Sequence, residues 1–368
     1  MSQIYFDHNS TSPIHPKVWN AMCEIRNIPL NPSSTHTHGR MARKIFEECR
    51  STIKSCLKLQ DTHELIFTSG CSESNNIALK NFIEYNKICS YLEHSSVLDI
   101  IGEGILPISS QGIVNVSFIE NYIKKDVNKK VLLSIMYANN EIGTIQPINK
   151  ICKVLSSYKN NVIIHCDITQ ALGKVKLNLE GVDLVTFSSH KFGGPVGSGG
   201  LLYRRGLDLR PILLGGGQEF GLRSGTPNLL AIRGMKVAFN LLTEIEEEFL
   251  KTAKLRNYLE KSLKKISSEV IVFGVHSRRL PNTSSIYMPN VDAETQLMYF
   301  DLNGISVSAG SACSSGKVSS NKLQNHLGYP EYIGKNSIRI SMGPGNSQEE
   351  VNKFVKLWAT LCMSNKLN

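Results

Sequence analysis

The sequence predicts an α/β fold built on a mainly parallel sheet, and three segments predict it. Residues 161–167 are an apolar run rich in β-formers that ends in Asp167. Residues 183–187 are a second such run, leading through Ser188-Ser189-His190-Lys191 into the turn Gly193-Gly194-Pro195. Residues 64–67 are a third, followed by a small polar turn over 68–76 and a helical pattern from Ile77. Short β-rich runs alternating with helical periodicity are the pattern of strands joined by crossovers.

The first two runs carry chemistry at their ends. Lys191 and Asp167 terminate successive strands joined by a short crossover over 168–181, and parallel sheets bind ligands at the carboxyl ends of their strands. Taken alone, Lys191 reads as a surface lysine and Asp167 as a helix N-cap. Taken together they fit pyridoxal phosphate. A desolvated amine gives up its proton and becomes a Schiff-base nucleophile, and a carboxylate keeps the pyridine nitrogen protonated. The turn over 68–76 presents backbone N–H groups at a helix start, suited to a phosphate, although an ordinary capped helix has the same letters.

The remaining elements follow in order. Residues 15–250 alternate strand-like and helix-like segments, with residues 201–203 a strand after the glycine-dense turn 193–200. That turn lacks G-x-G-x-x-G spacing and reads as a bend that lets the Lys191 loop pass close to a cofactor. A helix is expected over 252–267, then strands over 270–273, 283–287 and 338–341, with helices near 294–302 and 349–361. The expected division is a large domain over 15–250 and a small α+β domain from 1–14 and 251–368. Residues 310–317 end in Gly-Lys, but Ser311 and Val318 break the P-loop pattern.

Composition narrows the class. A chain of 368 residues suits two domains, and its net charge is 41 − 31 = +10. The bases are dispersed, with small clusters at Arg204-Arg205 and Arg278-Arg279 and no aromatic-rich basic stripe, so direct nucleic-acid binding is not expected. No apolar run reaches membrane-spanning length and the start has no signal pattern, which predicts a cytoplasmic protein. Nine cysteines lie scattered without metal-ligand spacing, so no metal is expected. Most, including Cys56, Cys152 and Cys166, read as buried small hydrophobes. Cys313 differs: residues 309–316 are a small polar loop that would expose a thiol and let it swing.

Ordered motifs along nearly the whole chain resemble the cysteine desulfurases of the NifS/IscS-like group, which belong to the class V aminotransferases. They are Tyr5-Phe6-Asp7-His8-Asn9, residues 31–36, 68–76, Glu93-His94, residues 136–143, Asp167-Ile168-Thr169-Gln170, residues 188–191, Gly215-Gly216-Gly217-Gln218-Glu219, Arg223-Ser224-Gly225-Thr226, residues 310–314 and 337–341. The resemblance implies the PLP-dependent transferase fold of the aspartate aminotransferase type, with strand 201–203 antiparallel. It implies that Lys191 holds pyridoxal 5'-phosphate and later moves protons. His94 would stack on the ring, Asp167 pair with its nitrogen, and Gln170 bond its hydroxyl oxygen. Cys71, Ser72, Ser188 and His190 would lie at the phosphate, with Thr226 reaching across from a second subunit of a homodimer. Asn140 and Arg339 would bind the substrate carboxylate.

Cys313 is the residue that separates a desulfurase from an aminotransferase. Its thiolate would take sulfur from L-cysteine, leaving a persulfide and L-alanine. Sulfur would pass to an acceptor protein, an iron–sulfur scaffold or a tRNA-thiolation enzyme. Relatives serving scaffolds often carry a C-terminal tail beyond the last helix, which leaves the acceptor open here. Alternatives are a selenocysteine lyase, another class V enzyme, or a non-catalytic sulfur-transfer scaffold. The family usually has alanine and threonine where this chain has Cys71 and Ser72.

Overall fold

Alternate residues along the central strands pack on opposite faces, as a sheet covered on both sides requires. Val131, Leu133, Val162, Ile164 and Val185 enter one hydrophobic cluster, whereas Leu132, Ile163 and Leu184 enter another. The computed structural model describes residues 3–102, 105–310 and 322–364. Among these, a short strand β1 (Ile4–Tyr5) leads to helices α1 (Pro16–Glu24) and α2 (Thr37–Cys56). Next come β2 (His63–Thr68), α3 (Cys71–Lys80), β3 (Asn86–Cys89), α4 (Ser95–Ile101), α5 (Val116–Lys124) and β4 (Val131–Ser134). The series continues with α6 (Ile148–Leu155), β5 (Val162–Asp167), β6 (Leu184–Ser188), β7 (Gly199–Arg204) and α7 (Leu229–Asn240).

These strands form a six-stranded sheet of order β2-β7-β6-β5-β4-β3. Strands β3 to β6 pair in parallel, and β7 is antiparallel to both of its neighbours. The mainly parallel sheet and the reversed strand after the glycine-rich turn are as expected. Two local expectations need correction. The turn read over 68–76 ends at Gly70, because α3 already begins at Cys71. The crossover from β5 to β6 contains turns and no α-helix, so Asp167 does not cap one; its Oδ1 instead accepts from the Thr169 N–H at 2.9 Å.

A long helix α8 (Leu242–Ile266) leaves this sheet for a second unit and starts ten residues before the expected Thr252. It runs through position 250, where a boundary was expected. Beyond it lie β8 (Ile271–Val272), β9 (Thr283–Tyr287), α9 (Ala293–Leu302), β10 (Ile305–Ser306), α10 (Lys322–His326), α11 (Glu331–Lys335), β11 (Ser337–Ser341) and α12 (Gln348–Ser364). Strands β11-β9-β8 form a three-stranded antiparallel sheet, and β1 pairs with β10. Trp358, Phe354, Phe300, Phe6 and Ile338 fill the core of this unit. Ile4 and Phe6 from the N-terminal segment pack in this core. Among the described residues, no helix is long and apolar enough to cross a membrane. Cys49, Cys89, Cys152, Cys166 and Cys362 are buried, but Cys56 is exposed, contrary to its reading as a core residue.

Three histidines are folded in as neutral rings. Burial is the main cause that pushes His8, His165 and His190 down to about 4. Unfolded imidazoles bind protons near pH 6.5, so between that pH and 4 the unfolded chain holds more protons than the folded one. Stability should therefore fall as pH is lowered through this window, by up to about 1.4 kcal/mol per pH unit for a fully buried ring such as His165. Urea midpoints at pH 7 and pH 5 check it, and equal midpoints would contradict it.

Candidate active site

The carboxyl ends of the parallel strands converge on Asp167. Its carboxylate is buried at the end of β5, and Oδ2 accepts from Cys71 Sγ at 3.2 Å and Asn75 Nδ2 at 3.3 Å. Both donors come from the first turns of α3, so the helix N-terminus is set against the carboxylate. Burial, with Asp167 next, pushes the Cys71 thiol well above its usual range; it stays protonated and acts as a donor. Gly70 precedes this helix and offers no side-chain cap, leaving the helix start to other acceptors. A Cβ at Gly70 would lie 3.6 Å from Ser188 Oγ, which places the end of β6 beside the same turn. Ser72, also in this first turn, is exposed.

His94 is tied to the same network. It caps α4 through Ser96, with Nδ1 2.8 Å from Ser96 Oγ, and Ser96 Oγ accepts from Asn75 Nδ2 at 2.9 Å. The adjacent Glu93 is buried, accepts from the Met136 N–H at 2.9 Å, and is pushed well above the carboxylate range by desolvation.

Lys191 ends a 3-10 turn over Ser189–Lys191 after β6. Its Nζ donates to the carbonyl of Asn9 at 2.9 Å and to that of Ser10. The carbonyl of Asn9 also accepts from Gln170 Nε2 at 2.8 Å, so Gln170 and Lys191 meet at one oxygen. Gln170 Oε1 accepts from Lys174 Nζ at 2.8 Å, so both ends of this amide are engaged within the protein. His190 places Nδ1 3.0 Å from Thr11 Oγ1, and burial with the Lys191 and Lys174 charges keeps its ring neutral.

Arg339 comes from β11 and is 4% exposed. Its Nη2 donates to Asp7 Oδ1 at 2.7 Å and Nη1 to the Asn140 carbonyl at 3.1 Å, while its buried Nε has no hydrogen-bond partner. A buried guanidinium with an unused N–H is suited to a carboxylate. The side chain of Asn140 makes no hydrogen bond among the described residues, and its carbonyl also accepts from Asn9 Nδ2 at 3.1 Å. Ser308 pairs with the backbone of Arg339 on the way into residues 311–321. Cys313 lies outside the described residues.

The geometry thus brings Asp167, Cys71 and His94 into one hydrogen-bonded neighbourhood through Asn75 and Ser96, with Ser188 beside Gly70 at its edge, and Lys191, Gln170, Asn140 and Arg339 into another joined through Asn9. Thr226 stands apart and exposed. It is three positions from Arg223, whose Nε reaches Glu73 Oε1 in the first turn of α3 at 2.8 Å. Sequence reasoning missed Asn9 as the junction and Lys174 as its buried partner. Asn9 fell within a quoted motif, but nothing local marked it above its neighbours.

Comparison with known proteins shows the family. A cysteine desulfurase IscS of Dictyoglomus turgidum is 36% identical over 368 residues, covering 95% of this chain and 92% of the relative. A cysteine desulfurase IscS 1 of Archaeoglobus fulgidus is 34% identical, covering 96% of this chain and 95% of its own. The crystal structure of a NifS-like protein from Rickettsia africae superposes with a TM-score of 0.90 at 34% identity, covering 98% of this chain and 99% of the other. The Aminotransferase class-V family matches residues 4–354. With that match spanning nearly all of the sequence, the chain belongs to the class V aminotransferase family of pyridoxal-phosphate enzymes.

Proposed function

We propose that this protein is a cysteine desulfurase that removes sulfur from L-cysteine, releases L-alanine and carries the sulfur as a persulfide on Cys313. The observation that carries the reading is the placement of Asp167 at the end of β5 and of Lys191 just after the adjacent parallel strand β6, with the start of α3, which has no side-chain cap, against Asp167. These residues fit pyridoxal phosphate on the chemistry of their donors. There is an amine at one strand end, a buried carboxylate at the next, and α3 N–H groups with Ser72, Ser188 and His190 for the phosphate. Relatives named cysteine desulfurase, matched over nearly their full length, support the substrate.

The cofactor, when bound, supplies an electron sink for the substrate α-carbon. The chain's own residues do the rest. Asp167, its oxygens fixed by Thr169, Asn75 and Cys71, holds a proton at the ring nitrogen. Lys191 anchors the group and shuttles the α-proton. His94 would stack on the ring and assist with protons, and Gln170 would face its hydroxyl oxygen. Arg339 takes the substrate carboxylate through its unused Nε, with the side chain of Asn140 beside it. Cys313 would attack the substrate sulfur as a thiolate, forming an S–S bond as the C–S bond breaks, and the electron pair would stay with the substrate β-carbon, which takes a proton to become the methyl group of alanine.

The reading includes a homodimer. Ile212, Leu213, Leu214 and Phe220 are exposed in a single chain and flank the segment that bears Thr226, so a second copy would cover them and bring Thr226 to its partner's phosphate site. The sulfur acceptor is an iron–sulfur scaffold or a tRNA-thiolation enzyme, in the cytoplasm. Alanine release from L-cysteine, with selenocysteine compared in parallel and the active species sized by sedimentation, tests the proposal. Stoichiometric alanine from a dimer is expected. Turnover of selenocysteine alone would favour a lyase, and an active monomer would remove the role of Thr226.

A further inference from the structure

We propose that Lys174 is a positioning residue of the cofactor site, which, by fixing Asn9, holds the carbonyl against which Lys191 rests. The inference builds on the reading of Lys191 as the cofactor anchor. Lys174 has 0% exposure, and its Nζ donates to Asn9 Oδ1 at 2.9 Å and to Gln170 Oε1 at 2.8 Å. The face of Phe249 lies 5.5 Å away. No carboxylate pairs with this amine among the described residues, and its charged neighbours, Lys191 and Arg339, are cations. Burial and that repulsion both drive it toward the neutral form. Both of its donations go to side-chain amide oxygens.

The consequence for Asn9 is directional. Its Oδ1 must face Lys174, which sends Nδ2 to the Asn140 carbonyl at 3.1 Å and Thr283 Oγ1 at 2.8 Å. Turning the amide over would set two donors against each other and break both contacts. Asn282 Nδ2 adds a second donor to Oδ1 at 3.1 Å, and the backbone N–H of Asn9 donates to Ser341 Oγ at 3.0 Å. Asn9 is thereby locked at side chain and backbone. Its carbonyl is left to receive Lys191 and Gln170 together. Lys174 grips both amides of this junction, so its loss strands Gln170 Oε1, leaves Asn9 Oδ1 to Asn282 alone and frees the carbonyl to shift.

The experiment uses full-length protein stripped of cofactor and reconstituted with pyridoxal phosphate. The fraction fixed to the chain by borohydride is followed in time over a range of cofactor concentrations, for wild type, Lys174→Met, Asn9→Ala and the double variant. Each single variant should fix cofactor about tenfold more slowly at saturation, with the half-saturating concentration within about threefold of wild type, since the phosphate contacts are untouched. The double variant should be no slower than the slower single one, because both break one link. A destabilised but otherwise normal protein would not show this split. Wild-type saturating rates in Lys174→Met, or losses that multiply in the double variant, would overturn the proposal. Should Lys174→Met not fold, Asn9→Ala decides alone: a tenfold loss supports it and a wild-type rate overturns it. Failure of the wild-type protein itself to fix cofactor would instead contradict the reading of Lys191.

Discussion

Lys191→Ala is expected to abolish borohydride fixation of pyridoxal phosphate and to lower alanine release by about a thousandfold or more, the scale seen when the nucleophile of a catalytic unit is removed. The protein should still fold and still bind cofactor reversibly. Lys191 stands on a 3-10 turn, and its amine donates to the carbonyls of Asn9 and Ser10. The carboxylate of Asp167 is held by Thr169, Asn75 and Cys71, and the proposed phosphate groups at α3 and Ser188 belong to other elements. Wild-type protein should be yellow and bleach with borohydride, and peptide mapping should find the label on Lys191. A label on any other lysine, the buried Lys174 included, would place the anchor elsewhere.

The second large effect separates the two halves of the reaction. Cys313→Ser should bind pyridoxal phosphate normally and show the spectral change that accompanies cysteine binding. It should form no persulfide and release alanine about a hundredfold more slowly or less, because a neutral hydroxyl is a far poorer nucleophile than a thiolate. The buried thiols cannot substitute. Cys71, Cys89 and Cys166 are all driven upward by desolvation and remain protonated at ordinary pH. Cys71→Ala should instead act on the cofactor, since it removes one of the two donors to Asp167 Oδ2. Full alanine release by Cys313→Ser would fit a lyase that expels sulfide directly.

Strands were legible because their apolar period is local. Residues 283–287 were read at their observed bounds, and the runs ending at Asp167 and Ser188 were displaced by about one residue. The start of α3 was not legible. Cys71, Ser72, Ser74, Asn75 and Asn76 have weak helix propensity. What holds this segment helical includes contacts distant in sequence, such as Asn75 to Asp167, 92 positions away. The exposure of Cys56 at the last turn of α2 was likewise hidden, because the apolar stripe of that helix passes through Cys49 and Ile53.

Lys174 shows the limit most clearly. A lysine after Gly173 reads as a solvated turn residue, and its burial depends on Asn9, 165 positions away. The strand-end pair Asp167 and Lys191 could be read because the sheet's own geometry delivers successive strand ends to one place. The junction at Asn9 could not, because it gathers side chains from β1's following loop, the β5–β6 crossover and the second unit.

The most direct measurement is mass analysis of peptides from wild-type protein, loaded with pyridoxal phosphate and treated with one equivalent of L-cysteine, with alanine quantified in the same sample. The account predicts one alanine per active site and one added sulfur atom on the peptide containing Cys313, with the other cysteines unmodified. Alanine without sulfur on Cys313, or sulfur on another cysteine, would contradict it.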